Sequence, residues 1–378
     1  MFDRLIAVVR DHYESAEFIP LHAPVFRGNE KAFVNETLDS TFVSSVGAFV
    51  DRFEADMAAY TGAIRAVAVV NGTAALHMCL TLAGVQRGDL VITQALTFVA
   101  TCNAISYCGA APVFCDVDRA TLGLSPEAVA AWLDENATLG ADGLARLGDR
   151  VIRACVPMHS FGHPVRLTEL KAVCDRWGIT LIEDAAESLG STYQGQHTGT
   201  FGALTAQSFN GNKILTTGGG GMILSMDADL GSRAKHLTTT AKRPHPYEYF
   251  HDEIGYNYRM PNLNAALGVA QLEHIETFVA EKRALASYYQ QALAADIEVV
   301  CEPVDCRSNY WLNAVICEDQ AMRDAMLKET NQAGVMTRPI WTLMTRLPMF
   351  SGAMCGPLEM SHWLEARVVN LPSSVRGA

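Results

Sequence analysis

The sequence predicts an α/β protein: a mostly parallel sheet flanked by helices, followed by a smaller C-terminal α+β domain. Two observations carry that prediction. Between about residues 66 and 225, short apolar runs rich in β-branched residues alternate with helical segments, and such runs suit strands buried on both faces. From Asn262 a long amphipathic helix with Leu263, Leu267, Leu272, Ile275 and Val279 leads into a tail with short strands of its own. The division falls at 1–275 and 276–378, and 378 residues suffice for two cores.

Residues 1 to about 25 read as a helix and an extended lead-in, with Pro20 and Pro24 ending helical character. Helices follow at about Asn29–Leu38 and Asp51–Tyr60, the second with Phe53, Met57 and Ala58 on one face. Ala66–Val70 is the first buried strand, and Asn71-Gly72-Thr73 turns it into an Ala/Leu-rich helix. Strands at Leu90–Thr93, Ala111–Cys115, Val151–Met158 and Thr180–Asp184 alternate with helices at Phe98–Tyr107, from Ser125, and at Leu167–Trp177. Ser125 is the N-cap of its helix and Pro126 the first helical residue. Gly140–Gly148 reads as a surface excursion, and Arg243–His251, aromatic and broken by prolines, as an ordered loop. Met222–Ser225 resumes the first sheet; Ile297–Val300 and Trp311–Ile316 supply the second.

Hydrophobic residues at 49% and charged residues at 19% describe a folded globular chain, and a net charge of −12 argues against a general nucleic-acid binder. No uncharged run reaches membrane-spanning length, and the first residues lack a signal-peptide pattern, so a cytoplasmic protein is expected. The ten cysteines include no C-x-x-C pair, which favours buried thiols over a disulfide framework, and no metal site is expected.

The chemistry gathers around Ser208-Phe-Asn-Gly-Asn-Lys213-Ile-Leu-Thr-Thr-Gly-Gly-Gly-Gly221. Four consecutive glycines suit a place where the backbone comes close to something else or takes positive φ. A lysine just ahead of them is a candidate carbonyl-capturing amine. Gly72 and Thr73 open a helix after a strand, which offers free N–H groups, a hydroxyl and the positive end of a helix dipole to an anion. Asp184 ends a strand at the edge where such sheets bind ligands. An acid, a phosphate cradle and a lysine at one sheet edge match the needs of pyridoxal 5'-phosphate.

Six motifs, in order, resemble the DegT/DnrJ/StrS aminotransferases. They are Asn71–Leu76, Thr97–Thr101, His159–Pro164, Glu183–Gly190, Ser208–Gly221 and Gly255–Met260. The resemblance implies a fold-type I, pyridoxal-phosphate enzyme of nucleotide-linked keto sugars, active as a homodimer with shared sites. It makes Lys213 the Schiff-base lysine and Asp184 the partner of the ring nitrogen. Phe98 would stack on the ring, and Gly72, Thr73 and Ser208 would hold the phosphate. Glu187 would stand beside the 3-hydroxyl, where many members carry glutamine. Asn257, with Arg259, would reach into the neighbouring subunit's site, and His159 would contact substrate or shape a turn.

Ser208–Gly221, Arg338-Pro-Ile-Trp341 and Asn370–Ser374 further resemble the subgroup that aminates C4 of UDP-linked 4-keto-6-deoxy-N-acetylhexosamines. In that reading L-glutamate is the amino donor, Arg338 a fork for an anion and Trp341 a stacking surface. A GDP-linked 4-keto-6-deoxymannose is the alternative acceptor. The reading from another class, a non-catalytic sensor on this fold, is opposed by Asp184 and Lys213 occurring together.

Overall fold

The computed structural model describes residues 2–377. Its large sheet contains β1 (Arg65–Val69), β2 (Leu90–Gln94), β3 (Ala111–Cys115), β4 (Arg150–Val156), β5 (Thr180–Asp184), β6 (Leu204–Ser208) and β7 (Gly221–Ser225). They lie in the order β1-β7-β6-β5-β4-β2-β3, with Met354–Cys355 added beyond β3. β7 runs antiparallel to both neighbours, β1 and β6. The other pairs along this path are parallel. The reversal has a local cause: residues 209–220 join β6 to β7 without a helix, and a parallel return needs a longer crossover. All five residues of β2 and of β7 are buried, the apolar runs Leu90–Ile92 and Met222–Leu224 together with the polar residues that end each strand.

The helix Gly72–Leu82 follows β1, and its N-cap Asn71 accepts a hydrogen bond from Ala74 N at 2.8 Å. Phe98 occupies the N-cap position of Val99–Tyr107. Ser125 caps Pro126–Asn136 through Ala128 N, as predicted.

Three segments differ from the sequence reading. Gly140–Gly148 is no free excursion: Thr138–Leu139 and Ala145–Leu147 form a hairpin whose second strand pairs with β4. The long helix from Asn262 is two, Asn262–Leu272 and Ile275–Leu293, interrupted at His274. The helix expected at Asp51 begins at Ala48 instead. Its cap is remote in sequence, since Asn262 Oδ1 accepts from Phe49 N and Val50 N.

The second sheet, of four antiparallel strands, comprises Glu298–Val299, Asn313–Ile316, Val368–Leu371 and Arg338–Pro339. It shares a core with Ile275–Leu293 through Leu285, Tyr289, Val315 and Leu371. Phe2, Leu5 and Val9 join the same core, so the N-terminal helix Asp3–Tyr13 docks on the C-terminal part of the chain. Among the described residues, no helix is long and apolar enough to cross a membrane.

Candidate active site

A cavity of about 820 Å³ opens where the carboxyl ends of β5 and β6 meet the helix Gly72–Leu82 and the second sheet. Gly72, Thr73, Phe98, Asp184, Glu187, Ser208, Lys213, Arg338 and Trp341 all line it. This is the edge at which open α/β sheets place their ligands.

The glycine run makes that convergence possible. A Cβ at Gly221 would lie 2.4 Å from the carbonyl carbon of Asn71 and 2.7 Å from Gly72 N, so β7 can touch the start of the helix only without a side chain. A Cβ at Gly72 would in turn meet Ser208 Cβ at 2.8 Å. Gly218 has φ +78° and turns the loop. Nothing lies within 4 Å of a Cβ at Gly219. The N–H groups of Gly72 and Thr73 begin the helix and have no carbonyl one turn before them. They face the cavity beside the Ser208 side chain.

Asp184, 2% exposed, accepts from Thr101 Oγ1 at 2.7 Å and from Ala186 N at 3.2 Å. Burial pushes its carboxyl up, against the pull of those two donors and of the Lys213 charge. Lys213 Nζ lies 3.1 Å from Glu187 Oε1 and 3.9 Å from the centre of the Trp311 ring. Glu187 Oε2 accepts from Phe161 N at 2.9 Å, and burial raises this carboxyl too, opposed first by Lys213. Phe161 is buried with φ 58° and ψ 13°, a strained setting for a non-glycine residue that aims its N–H at Glu187. Its ring packs 5.0 Å from that of Trp341.

The segment entering the second sheet completes the wall. Asn309 Nδ2 donates to the carbonyls of Glu187 and Leu189, and Trp311 Nε1 donates to Asn212 O at 2.7 Å. Beneath Trp311, the buried Lys282 Nζ donates to Trp311 O at 3.0 Å and to Ser373 O. Burial lowers this amine to about 7. Two carbonyl acceptors suit a neutral amine, which has two N–H bonds.

One expectation changes. His159 does not line the cavity: it is fully buried, with Nε2 3.1 Å from Glu183 Oε2 and Nδ1 accepting from Val165 N. It is held as a turn residue, not placed to meet substrate. Burial alone would raise Glu183, but the hydrogen bonds from His159 and the N–H groups of Gly202 and Gly199 hold it below the usual range. Asn257 and Arg259 lie outside this chain's own cavity, Asn257 exposed and Arg259 bridged to Val69 at the end of β1. Sequence reasoning missed His22 and Trp311, which line the cavity, and met Asn370, which lines it too, only as the first residue of the Asn370–Ser374 motif. The pairing of Arg338 with Asn370 across the second sheet was the available signal, and it is not visible locally.

His236, Asp252 and Glu253 also converge, but Arg243 pairs with Asp252 and Arg233 with Glu253.

The model of the DegT/DnrJ/EryC1/StrS aminotransferase family matches residues 25–376. The chain belongs to that family. It is 35% identical to the GDP-perosamine synthase of Escherichia coli O157:H7, over 94% of this chain and 93% of the relative. It is 34% identical to the GDP-perosamine synthase of Vibrio cholerae, over 94% of each. Among solved structures, the aminotransferase TlmJ from Streptoalloteichus hindustanus superposes with a TM-score of 0.85 at 30% identity, over 94% of this chain and 93% of that one. The protein is a pyridoxal-phosphate-dependent nucleotide-sugar aminotransferase. The cavity fits that cofactor on its own terms: a buried acid without a cation in contact, unspent N–H groups at a helix start, and an amine 12% exposed.

Proposed function

We propose that the protein moves an amino group from L-glutamate to C4 of a GDP-linked 4-keto-6-deoxymannose. The acceptor rests on one observation: the two relatives above, matched over nearly their whole length, are GDP-perosamine synthases. That favours the GDP-linked alternative over the UDP-linked N-acetylhexosamine expected from the Arg338–Trp341 and Asn370–Ser374 motifs.

Pyridoxal phosphate, when bound, supplies an aldehyde for amine capture and a ring that accepts an electron pair. Asp184 holds the proton on the ring nitrogen, for which its desolvated carboxylate is suited. Gly72 N–H, Thr73 N–H and the Thr73 and Ser208 hydroxyls hold the phosphate. Phe98, half exposed at the cavity, covers one face of the ring. Lys213 would hold the cofactor through its amine and, when free, would carry a proton to and from the carbon that loses or gains the amine. Glu187 would stand beside the 3-hydroxyl and receive the lysine when it is free. Trp341 offers its face to the ligand beside Phe161.

The same reading makes the enzyme a homodimer. Tyr247, Tyr249, Phe250 and Ile254 are 60–86% exposed on the loop before Asn257, a concentration of apolar surface suited to a second copy. Asn257 and Arg259 then serve the partner's site.

Amine transfer from L-glutamate measured across GDP-, UDP- and dTDP-linked 4-keto-6-deoxy sugars tests the acceptor. A preference for the UDP-linked N-acetyl sugar would overturn it.

A further inference from the structure

One wall of the cavity carries polar groups that the fold leaves unused. Asn370 is 3% exposed and lines the cavity, yet its Nδ2 has no hydrogen-bond partner among the described residues. His22 Nδ1, also on this wall, is buried and unpartnered. Arg338 lies directly across the sheet from Asn370 and lines the cavity as well. It makes no ion pair among the described residues. Nη1 has only two neutral acceptors, Thr337 O at 3.2 Å and Asn331 Oδ1 at 3.4 Å. A buried amide left without a partner costs free energy, so such a group marks a place where something else completes the bonding.

The sign of the missing partner follows from its neighbours. Arg338 and Asn370 both offer N–H donors, and Lys213 is the reactive cation nearest this wall, lying within electrostatic reach of His22. The acids of the cavity, Asp184 and Glu187, are already engaged by Thr101 and Lys213. The wall therefore asks for an oxyanion. It also adjoins the reacting lysine. Asn370 pairs with Ala314, three residues beyond Trp311, whose ring covers Lys213 Nζ. On the other side Trp341, three residues beyond Arg338, packs on Phe161, which holds Glu187 and through it Lys213.

We propose that Asn370 and Arg338, beside His22, form the subsite for the carboxylate of the amino donor. The inference rests on the transaminase reading above. Two substrates must use this cavity in turn. An amino acid carries its α-carboxylate on the very carbon whose amine reacts, so the anion must sit beside Lys213. The pyrophosphate of a nucleotide sugar is separated from C4 by the sugar ring, and falls farther out.

The test separates the two half-reactions. Cofactor-loaded enzyme mixed with L-glutamate alone gives the donor half by its absorbance change; the aminated enzyme mixed with the keto sugar gives the acceptor half. Asn370→Ala should raise the half-saturating glutamate concentration about tenfold and Arg338→Gln up to about a hundredfold, the range for a hydrogen bond to a charged group. The acceptor half should keep its concentration dependence in both variants. Cofactor-free protein supplies a second readout: glutarate should quench tryptophan fluorescence in the wild type and lose affinity in either variant. Arg338 is exposed, so its variant remains informative if Asn370→Ala does not fold. A rise confined to the nucleotide sugar, or unchanged glutamate and glutarate dependence, would overturn the subsite. If glutamate fails with wild-type enzyme while another amino acid works and shows the same variant losses, the donor in the functional reading is wrong and the subsite stands.

Discussion

Replacing Gly221, which itself holds no part of the cofactor, by alanine should weaken cofactor binding by displacing the start of the helix. The added Cβ would lie 2.4 Å from Asn71 C, 2.5 Å from Asn71 O and 2.7 Å from Gly72 N, where ordinary contact starts at 3.4 Å. The neighbours are backbone, so the helix start must retreat by about 1 Å, an overpacking strain of about 1–3 kcal/mol. The same retreat draws the Gly72 and Thr73 N–H groups away from the phosphate, past the roughly 3.2 Å limit of a good N–H···O bond. Each such bond to a charged group contributes roughly 1.5–3 kcal/mol, so losing one weakens the cofactor about ten- to a hundredfold. Titrating cofactor-free protein with pyridoxal phosphate and following absorbance measures this. Gly219→Ala is the control: it adds the same methyl, in the same run, to open space, and should bind as the wild type does. Gly221→Ala binding within twofold of wild type would refute the argument that this glycine sets the cradle.

Borohydride reduction should fix the cofactor to Lys213, as peptide mapping would show; label on another lysine would sink its assignment. Asp184→Asn should reduce kcat by orders of magnitude in steady-state assays while cofactor affinity falls less, since the phosphate contacts remain. Mixing Lys213→Ala with Asn257→Ala protein should restore activity up to about one wild-type site per mixed dimer. No gain after verified subunit exchange would show that Asn257 acts within its own chain or not at all. Lys282, lowered to about 7, leaves the unfolded chain binding more protons than the folded one between that pH and 10.5. Stability should therefore rise with pH across this window, by up to roughly 1.4 kcal/mol per unit. Urea denaturation at pH 7, 8 and 9 should show the slope in wild type and its loss in Lys282→Met.

The parts of the site legible in the sequence are those set by local pattern. β1 with its Asn71-Gly72-Thr73 turn, β5 ending in Asp184, and Lys213 ahead of its glycines are each written within a few residues. What stayed hidden depends on contacts distant in sequence. Asn262 caps a helix that begins at Ala48, so that helix start carries no local signal. Where the N-terminal helix docks carries no local signal either, because its apolar face is completed by Leu285 and Tyr289. His159 resembled a ligand residue by motif, and only the fold shows both ring nitrogens already spent. Asn370 heads a motif in the sequence, but only the fold places it opposite Arg338.

The wiring of Trp311 bears on how ligands come and go. Its ring roofs the Lys213 amine while its backbone belongs to the chain entering the second sheet, and Asn309 ties that chain to the carbonyls of Glu187 and Leu189. A Cβ at Gly162 would come within 1.8 Å of Asn309 Oδ1, so the join has no slack. Swinging the second sheet outward would strip the roof from the amine and tear this join. If that join holds, ligands come and go where the lining is exposed, and Phe98 and Arg338 are both exposed residues of the cavity. The spent keto acid must clear it before the sugar nucleotide can enter.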